Sequence, residues 1–210
     1  MGLIKTLLAT AILSLWALAA RAEPITIVAL GDSLTAGYLL APGAGFPAQL
    51  ERALRAEGLD IIVRDAGVSG DTTSGGLSRL DWSVGEDADA VIVALGGNDA
   101  LRGLPPETTR QNLTQILDRL DERGLPVLVA GMLAPVNLGP DYGEAFKQVF
   151  DDLATRDIVF YPFFLEGVAA NPALNLPDGI HPTAEGVGVM VENILPKVKD
   201  LITRASEHHT

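Results

Sequence analysis

The sequence contains no cysteine. That excludes a thiol nucleophile, a zinc–thiolate centre, a disulfide framework and a lipid anchor on cysteine. Histidine is nearly as scarce. Of three, His208 and His209 stand in the polar last residues, so His181 alone lies in the body of the chain. A multi-histidine metal site is therefore not expected, nor is any other cofactor. Basic residues are few as well: 15 Lys and Arg face 27 Asp and Glu, a formal net charge of −12. Such a surface argues against nucleic acid and against electrostatic attachment to anionic membranes, and otherwise favours solubility. Also missing is a G-x-S-x-G turn, which speaks against the α/β-hydrolase fold.

What is present reads as one globular domain. The 210 residues are 48% hydrophobic and 20% charged, with no internal repeat and no low-complexity tract. Residues 1–22 resemble a secretory signal: Lys5 near the start, an almost uncharged apolar run from Thr6 to Ala20, then Ala20-Arg21-Ala22 as a small-x-small cleavage site. The run is about 15 residues, shorter than the roughly 20 needed to span a bilayer. Cleavage is expected, with Glu23 the first residue of a periplasmic or secreted chain that keeps no stable membrane anchor. Losing Lys5 and Arg21 leaves 13 basic against 27 acidic residues, a net charge of −14. The domain is expected over 23–205, with 206–210 as a polar tail.

Along the chain, apolar β-branched runs alternate with helical periodicity. Strands are expected at 25–30, 61–65, 90–95, 127–130 and 158–161. Helices are expected at 47–57, 73–80, 106–123, 142–156 and from 183 to about 204, the last kinked at Pro196. Such alternation predicts an α/β fold, a parallel sheet covered on both faces. Gly43-Ala44-Gly45-Phe46-Pro47-Ala48 matches a nucleotide-binding pattern, but no strand precedes it directly and it contains a proline, so it is set aside.

The informative residues stand where strands end. Ile25–Leu30 runs into Gly31-Asp32-Ser33-Leu34, at the sheet edge where open α/β sheets bind ligands. The second strand runs into Gly67-Val-Ser-Gly-Asp-Thr72 and the third into Gly96-Gly97-Asn98-Asp99, while Asp178-Gly-Ile-His181-Pro precedes the last helix. Serine-based acyl transfer needs a hydroxyl, a base, a group that orients the base, and donors for the oxyanion. Ser33 supplies the hydroxyl. His181 is the one histidine available as base. Asp178, three residues earlier, can fix its tautomer. The backbone N–H groups of Ser33 and Gly67 and the Asn98 side-chain amide are the candidate oxyanion donors. Asp32 and Asp99 are expected to hold their loops through backbone hydrogen bonds. The apolar loop 133–140 is a candidate acyl pocket, whereas Phe163-Phe164-Leu165 more plausibly packs in the core.

These four blocks, in this order and over essentially the whole exported part, resemble the SGNH or GDSL hydrolases. Within that family, Leu95–Gly103 and Asn137–Tyr142 are similar to the exported bacterial thioesterase/lysophospholipase/arylesterase branch. The resemblance implies a three-layer α/β/α, flavodoxin-like fold with a five-stranded parallel sheet, no metal, and hydrolysis of acyl esters or thioesters. A small-molecule acyl ester is thus the expected substrate, including aryl esters of short to medium chains and lysophospholipids. A carbohydrate O-deacetylase, which shares the four blocks, is the alternative. A non-catalytic binding module is disfavoured because all the catalytic groups are present. A receiver-type domain with Asp32 as its acid is disfavoured by the export signal and by the lack of a helix expected directly after the first strand. Asp65 stands where the branch usually has Asn, and Phe46 where Trp is common.

Overall fold

The computed structural model describes residues 23–208, so the expected leader and its cleavage site lie outside the described residues. Strands β1 (Ile25–Gly31), β2 (Ile61–Gly67), β3 (Ala90–Ala94), β4 (Val127–Ala130) and β5 (Val159–Tyr161) form one sheet. All its pairs are parallel and its order is β2-β1-β3-β4-β5, the five-stranded parallel sheet expected. The central strands are buried throughout: every residue of β3 is covered, and so are Thr26 to Gly31 of β1. Continuous apolar runs are what a strand covered on both faces requires. Edge strand β2 instead alternates between buried and half-buried residues from Ile61 to Arg64, and Asp65 is exposed.

The helices are α1 (Ser33–Ala36), α2 (Phe46–Ala56), α3 (Thr73–Ser78), α4 (Leu80–Ser83), α5 (Gly97–Leu101), α6 (Pro106–Glu122), α7 (Pro140–Leu153) and α8 (Ala184–His208). A 3₁₀ turn at Val136–Leu138 precedes α7. Helices α2 and α8 pack together, with α8 crossing the sheet, while α6 packs between α3 and α7. Helix α6 shows why these residues form these elements. Pro106 begins it, and Leu113, Ile116, Leu117 and Leu120 are buried along one stripe. Gly124, at φ 67°, follows its end. Phe164 is fully buried and meets Phe46 edge-on at 4.9 Å between ring centroids, so it belongs to the core, as expected.

The structure differs from the sequence-based expectation in several places. Helices α1 and α5 were not expected, and α1 follows β1 directly, which removes one of the two arguments against a receiver-type domain. A single turn is too short to carry periodicity. It is held instead by the Asp32 carboxylate, which accepts from Leu34 N–H, and by Gly37, which closes it at φ 70°. Strand β2 continues two residues beyond Asp65 because Ala66 and Gly67 pair with Leu30 and Gly31. Helix α7 begins at Pro140 rather than 142 and ends at Leu153 rather than 156. Helix α8 accommodates Pro196 and runs on through Ser206 to His208, residues expected in the tail.

The strand order turns back on itself at β1. The chain leaves β1 for β2 on one side, then returns to β3 on the other. The carboxyl ends of β1 and β3 therefore stand at the switch point, where open α/β sheets take their ligands.

Candidate active site

Ser33 is the first residue after that switch-point strand, at the first position of α1, and is 9% exposed. Its backbone N–H has no acceptor among the described residues, as the first N–H of a helix usually lacks one. Its hydroxyl meets His181 Nε2 at 2.9 Å.

His181 reaches it from a loop built around Asp178. One carboxylate oxygen of Asp178 accepts from Ile180 N–H at 2.9 Å and His181 N–H at 3.0 Å, a turn made by the side chain in place of the backbone. The other lies 2.7 Å from His181 Nδ1. Gly179 permits this turn with φ 71°, and Leu176 N–H donates to His181 C=O at 2.7 Å. Those backbone donations, followed by the imidazole bond, lower the Asp178 pKa to about 2. A tautomer protonated at Nδ1 satisfies both contacts: Nδ1–H donates to Asp178, and Nε2 accepts the Ser33 hydroxyl proton. The ring of Tyr38 covers the imidazole, with centroids 4.5 Å apart.

Asn98 stands near the start of α5. Gly96, at φ 114°, makes the preceding turn. The Asn98 Nδ2 group donates to Asp32 Oδ2 at 3.1 Å, which leaves its second hydrogen unengaged. Gly67 has a different task from the one expected of it. Its N–H already donates to Asp65 Oδ1 at 2.8 Å. An added Cβ would stand 2.4 Å from Ala36 N and 2.9 Å from Asp32 C=O. Gly67 is therefore the close-approach glycine that lets α1 lie against β2. In the same turn Val68 and Asp71 N–H donate to backbone carbonyls, while those of Ser69 and Gly70 have no acceptor among the described residues. Gly67→Ala should cost about 1–3 kcal/mol by overpacking, read as a lower urea midpoint, with loss of turnover as α1 shifts.

Asp32 is 2% exposed. Burial pushes its pKa up to about 6, against the bonds from Leu34 N–H and Asn98 and the nearby His181, all of which pull it down. An acid whose folded pKa is raised costs stability as pH climbs from the ordinary carboxylate range to about 6. The cost is full above that and absent well below it. Removing the charge with Asp32→Asn should accordingly stabilise the fold at pH 7, by up to about 3 kcal/mol. The gain should vanish near pH 4 in parallel denaturant titrations.

Other parts of the framework escape sequence reasoning. The Arg79 guanidinium donates to Asp71 at 2.6 Å, to Ala66 C=O at 2.8 Å, to Ser83 at 2.9 Å and to Gly31 C=O at 2.8 Å. It thereby ties the ends of β1 and β2 to the loop after β2. No sequence signal marks this arginine, since its partners lie up to 48 residues away. Tyr38, adjacent to the Gly37 that ends α1, carried no signal either. Leu39, Val68, Leu133, Val136 and Ile180 are exposed. Among the described residues there is no cluster of three or more metal-ligating side chains, and no helix long and apolar enough to cross a membrane.

The chain is similar to known proteins in both sequence and fold. The model of the GDSL-like Lipase/Acylhydrolase family matches residues 29–189. Esterase TesA of Pseudomonas aeruginosa is 38% identical over 201 residues, covering 95% of this chain and all of that protein. Thioesterase 1/protease 1/lysophospholipase L1 of Escherichia coli K12 is 35% identical over 183 residues, 86% of each chain. Among solved structures, AlinE4, an SGNH-hydrolase family esterase, superposes with a TM-score of 0.72 at 46% identity, covering 85% of this chain and 96% of that one. Sequence, fold and comparison converge: this chain belongs to the GDSL-like lipase/acylhydrolase family.

Proposed function

We propose that this protein is an exported serine esterase whose nucleophile is Ser33. Ester hydrolysis is the activity its named relatives share, and it is favoured over sugar deacetylation. The single observation that carries the residue assignment is the pair of contacts Ser33 Oγ to His181 Nε2 and His181 Nδ1 to Asp178, at 2.9 and 2.7 Å. In this reading His181 takes the hydroxyl proton as Ser33 attacks the acyl carbonyl, and Asp178 stabilises the imidazolium that forms. The oxyanion is met by Ser33 N–H, by the unengaged hydrogen of the Asn98 amide, and by the free N–H groups of the 69–70 turn. His181 then returns the proton to the departing alcohol or thiol, and water, activated by the same imidazole, releases the acid. Donors of this kind typically contribute about 3–4 kcal/mol each to the barrier. The exposed apolar side chains of the 133–140 loop give the acyl chain a surface to lie on. Thioesters and lysophospholipids enter as proposed substrates through the E. coli relative.

The test uses purified residues 23–210 with a fluorophosphonate probe and p-nitrophenyl esters from acetate to palmitate. Acyl-CoA and acetylated xylose are run beside them. Stoichiometric labelling at Ser33 and turnover of the aryl esters are expected. Absence of labelling, or turnover of acetylated xylose alone, would overturn the assignment.

A further inference from the structure

We propose that Asp32 is a positioning residue for Asn98, its carboxylate deciding which end of the Asn98 amide faces the acyl carbonyl. The inference rests on the serine-esterase reading above and concerns a residue that makes no contact with the substrate.

A side-chain amide has two nearly isosteric ends, and only the NH₂ end can stabilise an oxyanion. Something must select between them. Among the described residues no backbone group bonds the Asn98 side chain, and its single side-chain partner is Asp32 Oδ2, at 3.1 Å. An ionised carboxylate can only accept, so it binds Nδ2 and excludes the flipped amide, whose oxygen would face it. The two hydrogens of an sp² nitrogen diverge by about 120°. With one held by Asp32, the other is set in a fixed direction.

Asp32 is itself well held. Its Oδ1 accepts from Leu34 N–H at 3.0 Å, within the helix that carries Ser33. One carboxylate therefore spans β1's end, the nucleophile's helix and the donor's helix, and fixes Asn98 relative to Ser33. The titratable group bearing on Asp32 is His181, and the other groups that bear on it, Leu34 N–H and the Asn98 amide, do not titrate. A buried carboxylate that raises the energy of the folded state and accepts from a candidate donor fits stability given up for function.

A double-mutant cycle tests this, with kcat, KM and the thermal midpoint measured for Asp32→Asn, Asn98→Ala and the double variant on a p-nitrophenyl ester. Asp32→Asn keeps the shape and removes the obligate acceptor, so the Asn98 amide turns its oxygen toward it. Each single variant should lose about 10²- to 10³-fold in kcat with KM little changed. The double variant should be no slower than Asn98→Ala alone, because Asp32 acts only through Asn98. Asp32→Asn should be folded and at least as thermostable as the parent at neutral pH. If Asn98→Ala keeps full activity, the oxyanion reading itself fails. If Asn98→Ala is slow but Asp32→Asn is fully active, or the two losses multiply, the positioning role is overturned and the esterase reading stands.

Discussion

Ser33→Ala is expected to lower kcat on any ester this protein hydrolyses by a factor on the order of 10⁴–10⁶, with the melting temperature unchanged. The size follows from what is lost. Without the hydroxyl no acyl-enzyme forms, and His181 can act only on water. What remains is the contribution of the donors and of substrate binding, which in serine hydrolases leaves a residual acceleration of about 10³–10⁴ over water. The fold should not notice, because among the described residues the only side-chain partner of the Ser33 hydroxyl is His181. Helix α1 is held instead by Asp32, by Ala36 N–H donating to Asp32 C=O, and by Gly37. Burst-phase and steady-state rates on p-nitrophenyl butyrate, with a thermal melt of the same sample, check both halves. A variant retaining even a tenth of the parent rate would remove Ser33 from the chemistry.

The second large effect concerns stability. Asp99 is fully buried, one residue beyond Asn98, and ties α5 to two other elements. It accepts from Thr73 N–H at 2.8 Å, from the Thr73 hydroxyl at 2.5 Å and from the Thr109 hydroxyl at 3.3 Å. Asn112 extends the network by donating to the Thr73 hydroxyl at 3.0 Å. Asp99→Ala would strip the acceptor from three buried donors at once, and the Thr73 N–H at the start of α3 could not turn elsewhere. Hydrogen bonds to a carboxylate contribute about 1.5–3 kcal/mol each and are not additive, so a loss of about 3–5 kcal/mol is expected. In a chain of this size that corresponds to a fall of roughly 6–20 °C in melting temperature. Asp99→Asn, which keeps an acceptor oxygen, should recover part of it. A melting point within a degree or two of the parent would show that the network carries little.

Both predictions concern residues that the sequence singles out, although it separates their roles only partly. The expectation that Asp32 and Asp99 hold loops through backbone bonds agrees with Leu34 N–H on the first and Thr73 N–H on the second. It did not reach Asn98 on Asp32 or the threonine hydroxyls on Asp99. Backbone turns of two residues are local and readable. Partners such as Asn98, 66 residues from Asp32, are not.

By itself the sequence determined the fold class, the lone histidine and the order of the four loop blocks. The fold class follows from hydrophobic period, which acts along the chain, and the rest is read directly off the residues: short apolar β-branched runs suit strands buried on both sides, and the stripe of α6 suits a helix facing a core. Only the tertiary structure decided which groups at the sheet edge are free to act. It brought His181 to within 2.9 Å of Ser33 across 148 residues. It engaged the Gly67 N–H with Asp65 and left those of Ser69 and Gly70 without an acceptor among the described residues. It also set Arg79 on the ends of two strands and one hydrogen of Asn98 on Asp32. The physical reason is one of scale. Burial averages over whole side chains and tolerates small shifts, so a periodic pattern encodes it. A hydrogen bond changes partner within an ångström and a few tens of degrees, and strand register, helix docking and side-chain rotamer together set that geometry.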